Sequence, residues 1–229
     1  MHNRKIVAAT LLSMLALGAC DDIEGLGEPN TGSTARVRFV NVTGGLLSFA
    51  QNGTVGTGMN NLAFGSATSC TEINTATPSL SVVANGVSTS LSGLTSNLTS
   101  NGTYTIIAYP GTGGNTAYAI LPTSYSSATG QAGLRVFNAT TTPFDVYTAA
   151  SGGAFTTASA TGIASGTSSN FFDVAAGTGG QIRFNNAGTT TSALTLSNQT
   201  FTAGQNAILV IAPPATGTTT YRTLLVTGC

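Results

Sequence analysis

The sequence predicts an all-β protein, built as two tandem antiparallel β-sandwich domains. Three observations carry this. The apolar segments are short, rich in Val, Ile, Thr, Tyr and Phe, and bounded by Gly, Asn and Pro. No long stretch shows the i, i+3, i+4 spacing of an amphipathic helix. The chain also resembles itself: Ala35–Val42 matches Ala132–Ala139 at an offset of 97 residues.

Residues 35–129 form the first predicted repeat and residues 130–229 the second. Each opens on an alternating strand. In Arg36–Asn41, Val37 and Phe39 face one side and Arg36 and Arg38 the other, which predicts a core side and a solvent side. Arg38 and Arg135 fall at equivalent positions, as do Asn41 and Asn138, which end the equivalent strands and read as turn caps. Leu47-Ser48-Phe49 is aligned with Asp145-Val146-Tyr147. Leu80-Ser81-Val82 meets Ile182-Arg183-Phe184 at an offset of 102, and Asn101–Ile107 meets Ala203–Leu209 at the same offset. Tyr104–Tyr109 and Ala207–Ala212 are nearly continuous apolar runs, as expected of central strands. Pro110–Gly114 and Pro213–Gly217 then turn the chain into last strands near Tyr118–Leu121 and Tyr221–Val226. About seven short strands per copy imply an Ig-like or transthyretin-like sandwich.

Ahead of the repeats, His2, Arg4 and Lys5 make a basic start, and Ile6–Leu17 is apolar apart from Thr10 and Ser13. Twelve residues are too few for a spanning helix, which needs about 20, and fit a secretory signal. The segment closes on Leu17-Gly18-Ala19-Cys20, which resembles the lipobox of bacterial lipoproteins. The resemblance implies a signal peptide over residues 1–19, lipidation of Cys20 and a membrane anchor made by the attached acyl chains. Residues 20–34, acidic and rich in Gly, read as a lipidated flexible tether.

Composition excludes several chemistries. Of 229 residues only 6% are charged, and 40 Thr and 22 Ser supply small hydroxyl side chains. The chain lacks the basic field that nucleic-acid binding needs, so no nucleic-acid partner is expected. Without residues 1–19, five arginines stand against seven carboxylates, a balance of −2, with no His and no Lys. Imidazole-based nucleophilic catalysis, Schiff-base chemistry, a Walker-type phosphate loop and a histidine zinc site are therefore excluded. No catalytic, metal or cofactor-binding residue is assigned, and no cofactor is expected. Glu72, Asp145 and Asp173 are the only carboxylates past the tether. A hydrolase using Asp145 or Asp173 remains a remote alternative, because their spacing gives no support to a carboxylate pair. Cys70 and Cys229 make an even pair, which suggests one disulfide in an oxidising compartment; reactive thiols are the other reading.

The repeat motifs themselves resemble a known family. Arg135-Val136-Phe137-Asn138-Ala139, followed by Pro143-Phe144-Asp145-Val146-Tyr147, together with Leu98–Tyr109 in the first copy, is similar to the bacterial domain of unknown function 4397. That resemblance implies tandem extracytoplasmic β domains, often lipid-anchored, and no established activity. Asp145 and Tyr147 are candidate ligand contacts; an Asp at that place equally fits a turn residue bonding its own backbone. Six Asn-x-Thr sequons, at Asn41, Asn52, Asn97, Asn101, Asn138 and Asn198, read as chance in a Thr-rich chain. The expected function is a non-catalytic, lipid-anchored protein on the periplasmic or surface side of a bacterial envelope, acting as a structural or protein-interaction module. Its expected partners are the membrane and another envelope protein or a glycan. The alternative is a carbohydrate- or small-ligand-binding lipoprotein.

Overall fold

The structure, a computed structural model, describes residues 33–229, and these belong to one compact unit. The first repeat has eight strands: β1 (Thr34–Asn41), β2 (Ser48–Gln51), β3 (Thr54–Val55), β4 (Thr71–Asn74), β5 (Leu80–Ala84), β6 (Val87–Ser90), β7 (Thr103–Pro110) and β8 (Thr116–Pro122). The second repeats them as β9 (Gln131–Asn138), β10 (Phe144–Ala149), β11 (Ala158–Ile163), β12 (Phe172–Ala175), β13 (Gly177–Asn186), β14 (Ser192–Phe201), β15 (Asn206–Ala212) and β16 (Arg222–Thr227). Among the described residues, helix is confined to one turn, α1 (Ser92–Thr95), and a 3-10 turn at Thr112–Gly114.

Each repeat folds into two four-stranded sheets with one topology. The orders are β4-β1-β7-β8 and β3-β2-β5-β6 in the first, and β12-β9-β15-β16 and β11-β10-β13-β14 in the second. All pairings are antiparallel except one per repeat: β7 runs parallel to β1, and β15 parallel to β9. The chain reaches β7 from β6 in the opposite sheet, and such a crossover permits two strands to run the same way.

Inside each sandwich the cores are phenylalanine-centred. Phe39 stacks on Phe49 with centroids 4.3 Å apart in the first repeat. In the second, Phe144 and Phe184 meet edge to face at 6.0 Å.

A third core lies between the repeats. Val40, Val42, Ile107 and Leu121 of the first pack with Phe137, Ala139, Ile208, Val210 and Val226 of the second. Sheets β4-β1-β7-β8 and β12-β9-β15-β16 are therefore the two middle layers of a four-layer body. β7 and β15 are inner strands of their sheets, as expected, while one expectation, for β1, is corrected. The unbroken apolar runs of β7 and β15 arise because both faces of these strands are covered, Ile106 facing one core and Ile107 the next. On the side of β1 assigned to solvent, Arg36 is exposed as expected, but from Arg38 onward that side faces the other repeat. Arg38 of β1 donates to the carbonyl and hydroxyl of Thr227 at the end of β16. Arg135 of β9 donates to the carbonyl of Pro122 at the end of β8, at 3.0 Å. The two equivalent arginines thus reach across in opposite directions.

Register also fixes where the repeats differ. Arg36 lies opposite Thr103 and Gly133 opposite Asn206, so the offset at β7 and β15 is 103, not 102. The reason is backbone conformation. Asn101 (φ 60°) and Gly204 (φ 75°) hold the same left-handed turn, whereas the sequence comparison had aligned Gly102 with Gly204. The offset of 102 at β5 and β13 holds, because Phe49 pairs with Val82 and its equivalent Val146 with Phe184.

Candidate functional site

Asn41 and Asn138 are fully buried and identically bonded. The Asn138 Nδ2 donates to the carbonyls of Thr142 and Ile163 at 2.7 and 2.9 Å. Its Oδ1 accepts from the Thr140 N–H and hydroxyl at 2.9 and 2.8 Å. Asn41 does the same with Gly45, Leu62 and Thr43. The sequons at 41 and 138 are therefore working parts of the fold rather than chance, because the threonine two residues on completes the turn.

This turn has one length in both repeats, so the offset of 97 persists beyond it, and Ser48, not Leu47, stands in the place of Asp145. The side chains act alike. The Ser48 Oγ accepts the N–H of Asn61 at 2.9 Å. The Asp145 Oδ1 accepts the N–H of Gly162 at 2.7 Å, and its Oδ2 that of Gly188 at 2.8 Å. Asn61 and Gly162 both have positive φ, at 49° and 61°. Asp145 is thus a buried staple holding two loops to β10, with both oxygens committed to backbone, although not to its own turn.

The three carboxylates are not brought together. Glu72 lies on β4, Asp145 on β10 and Asp173 on β12. Among the described residues no group of three or more His, Cys, Asp and Glu is placed to hold a metal. Asp173 lines a cavity of about 260 Å³ at one end of the second sandwich, with Thr148, Ser151, Gln181 and Phe201. Its Oδ2 accepts the N–H of Ala128 at 3.3 Å. Desolvation pushes the Tyr125 phenol above its ordinary value, and the neighbouring Asp173 charge and hydrogen bond add to the rise. Among the described residues, Asp173 is the only acidic side chain lining this cavity.

Cys70 and Cys229 sit at disulfide distance, with Cα atoms 5.8 Å apart, and join the first repeat to the end of the second. Cys20 lies outside the described residues, as do the signal segment and most of the tether.

Tyr147 gains partners that the sequence did not single out. It pairs with Arg183 across β10 and β13 on the outer face of sheet β11-β10-β13-β14, while the adjacent Val146 and Phe184 point into the core. The Arg183 guanidinium lies 4.9 Å from the centroid of the Tyr147 ring and 4.4 Å from that of Phe155. Phe155 comes from the β10–β11 loop, residues 150–157; the first repeat turns there in two residues, Asn52-Gly53. Tyr147 and Arg183 stand where the first repeat has Ala50 and Ser81. The available signal was this difference between copies: a longer loop and two large residues replacing two small ones.

The fold and these contacts define a two-repeat, four-layer all-β body whose second repeat carries an aromatic–arginine cluster. No model of a known protein family matches the chain, and no curated protein is similar to it.

Proposed function

We propose that this chain is a lipid-anchored protein of the bacterial envelope, and that its folded body is a non-catalytic structural or protein-interaction module. We place its two repeats with the domain of unknown function 4397. The observation that carries the non-catalytic reading is how the charged side chains are used. The carboxylate of Asp145 and the guanidinium groups of Arg38, Arg135 and Arg222 are all spent on backbone groups of the body itself. Groups held this way are fixed in place and withheld from proton transfer, whose players must reach a substrate atom. The anchor reading rests on the register of basic start, apolar stretch and Leu17-Gly18-Ala19-Cys20. A short acidic stretch separates Cys20 from β1, which begins at Thr34. That length lets the body stand off a bilayer surface.

The test is membrane fractionation of the intact chain beside Cys20→Ala, with mass analysis of the N-terminal peptide. The expected result is a lipid-modified N-terminal Cys20 in the membrane fraction, and loss of both the modification and the membrane association in the variant. An intact, unmodified start peptide, or identical fractionation of the two proteins, overturns the anchor.

A further inference from the structure

We propose that Arg183, set against the rings of Tyr147 and Phe155, is a recognition site for the carboxylate of an acidic sugar, such as a uronic acid unit of an envelope polysaccharide. This goes beyond the proposed module and does not depend on its anchor.

The argument starts from the other arginines. Arg36, Arg38, Arg135 and Arg222 each donate to a backbone carbonyl: those of Cys229, Thr227, Pro122 and Pro213. Among the described residues, Arg183 alone of the five makes no hydrogen bond or ion pair; its Nε is buried without a partner, as are those of Arg38 and Arg135. A guanidinium carries five N–H donors in a rigid planar fork. Its central carbon lies over both rings, which attract a cation through their quadrupoles. Its N–H edge is the part that bonds a carboxylate through two parallel hydrogen bonds. The neighbouring rings also displace water from the cation, which strengthens its pull on an anion.

The carboxylate on the same face does not pair with it. Asp145 lies two residues along β10 on the same face, and both its oxygens are bound by the N–H groups of Gly162 and Gly188.

The surroundings select the ligand. Thr195 lies directly across from Arg183 on β14, and Gln181 precedes it on the same face of β13. A neutral, hydroxyl- and amide-bearing face around one cation suits a polyhydroxylated molecule with a single negative charge per unit. A dianionic phosphate is better met by several cations together, and here there is one. The site is also built by coordinated differences. Its loop, its ring and its cation all lack counterparts in the first repeat, where the fold is otherwise the same.

The experiment is calorimetric titration of the full chain, in detergent, with a trimer of galacturonic acid. The same trimer as its methyl ester and a neutral maltotriose serve as controls. The acid trimer is expected to bind, and the ester and maltotriose to bind at least tenfold more weakly. Arg183→Lys keeps the charge and loses the fork, so a drop of at least tenfold is expected. Tyr147→Ala, which leaves Arg183 in place, is expected to weaken binding severalfold with an unchanged melting temperature. No binding of the acid trimer, equal binding of acid and ester, or full binding by Arg183→Lys overturns the proposal. So does binding of sodium acetate as tight as that of the trimer, since the sugar would then contribute nothing.

Discussion

At the scale of single residues, this protein spends its few polar anchors on backbone. The hydroxyls of Thr68 and Ser169, at equivalent places, accept the N–H groups of Phe39 and Val136, each at 3.0 Å. Asn41 and Asn138 satisfy four groups each, which is the full capacity of an amide side chain. Asn138→Ala would take this partner from the buried Ile163 carbonyl and the Thr140 N–H, while the Thr142 carbonyl and the Thr140 hydroxyl keep each other. An unsatisfied buried group costs on the order of 1–3 kcal/mol, so the variant is expected to lose about 3 kcal/mol. Urea denaturation beside the intact protein checks this; a loss below about 1 kcal/mol would contradict the role given to the amide. The turn-cap reading of these asparagines was available from the sequence, because Asn followed two residues later by Thr recurs at the ends of equivalent strands. The role of Asp145 was not, because its partners Gly162 and Gly188 lie 17 and 43 residues away.

Strands carry the next level of meaning. β7 and β15 occupy equivalent places against the shared middle core, yet Thr105 stands where β15 has Ile208. Thr105 is fully buried and its hydroxyl has no partner. Replacing such a group by an apolar one of the same shape removes a desolvation cost without leaving a hole. Thr105→Val is therefore expected to stabilise the protein by about 1 kcal/mol, read as a rise in urea midpoint at constant m-value. A decrease would show that the hydroxyl is bonded in solution. The strand pairs β7-β8 and β15-β16 differ in a compensating way. Tyr109 of the first repeat packs edge to face on Phe137 at 5.1 Å, and its equivalent is Ala212. Arg222 of β16 lies over Phe64 of the first repeat at 3.5 Å, and its equivalent on β8 is Ala117. Each repeat is large where the other is small, so the copies diverged as interlocking halves. Strand positions were legible because Gly, Pro and Asn mark their ends. The middle core was not, since a strand covered on both faces and a buried central strand of a lone sandwich share one sequence pattern.

For the molecule as a whole, the shared core makes the repeats one folding unit. Val40, Ile107, Phe137 and Val210 are all fully buried between them. Opening that interface would expose them together, and fully burying such side chains contributes about 1.5–3 kcal/mol each. A single calorimetric transition is expected, rather than one per repeat. The Cys70–Cys229 pair, 159 residues apart in sequence, closes around this interface. Reduction is expected to lower stability by up to about 5 kcal/mol, by the chain-entropy account of long loops. Calorimetry with and without reductant checks both statements; two resolved transitions in the oxidised protein would refute the fused body. The bridge itself was readable from cysteine parity, and its position across the repeats was not, because it depends on how the sandwiches dock.

One consequence of that bridge concerns resistance to proteolysis. A protease that cuts any single loop between Cys70 and Cys229 severs the backbone but frees no fragment. The two pieces stay bolted together, with their sheets still interleaved across the middle. A molecule nicked there therefore keeps its shape, and two such cuts are needed before a piece is freed.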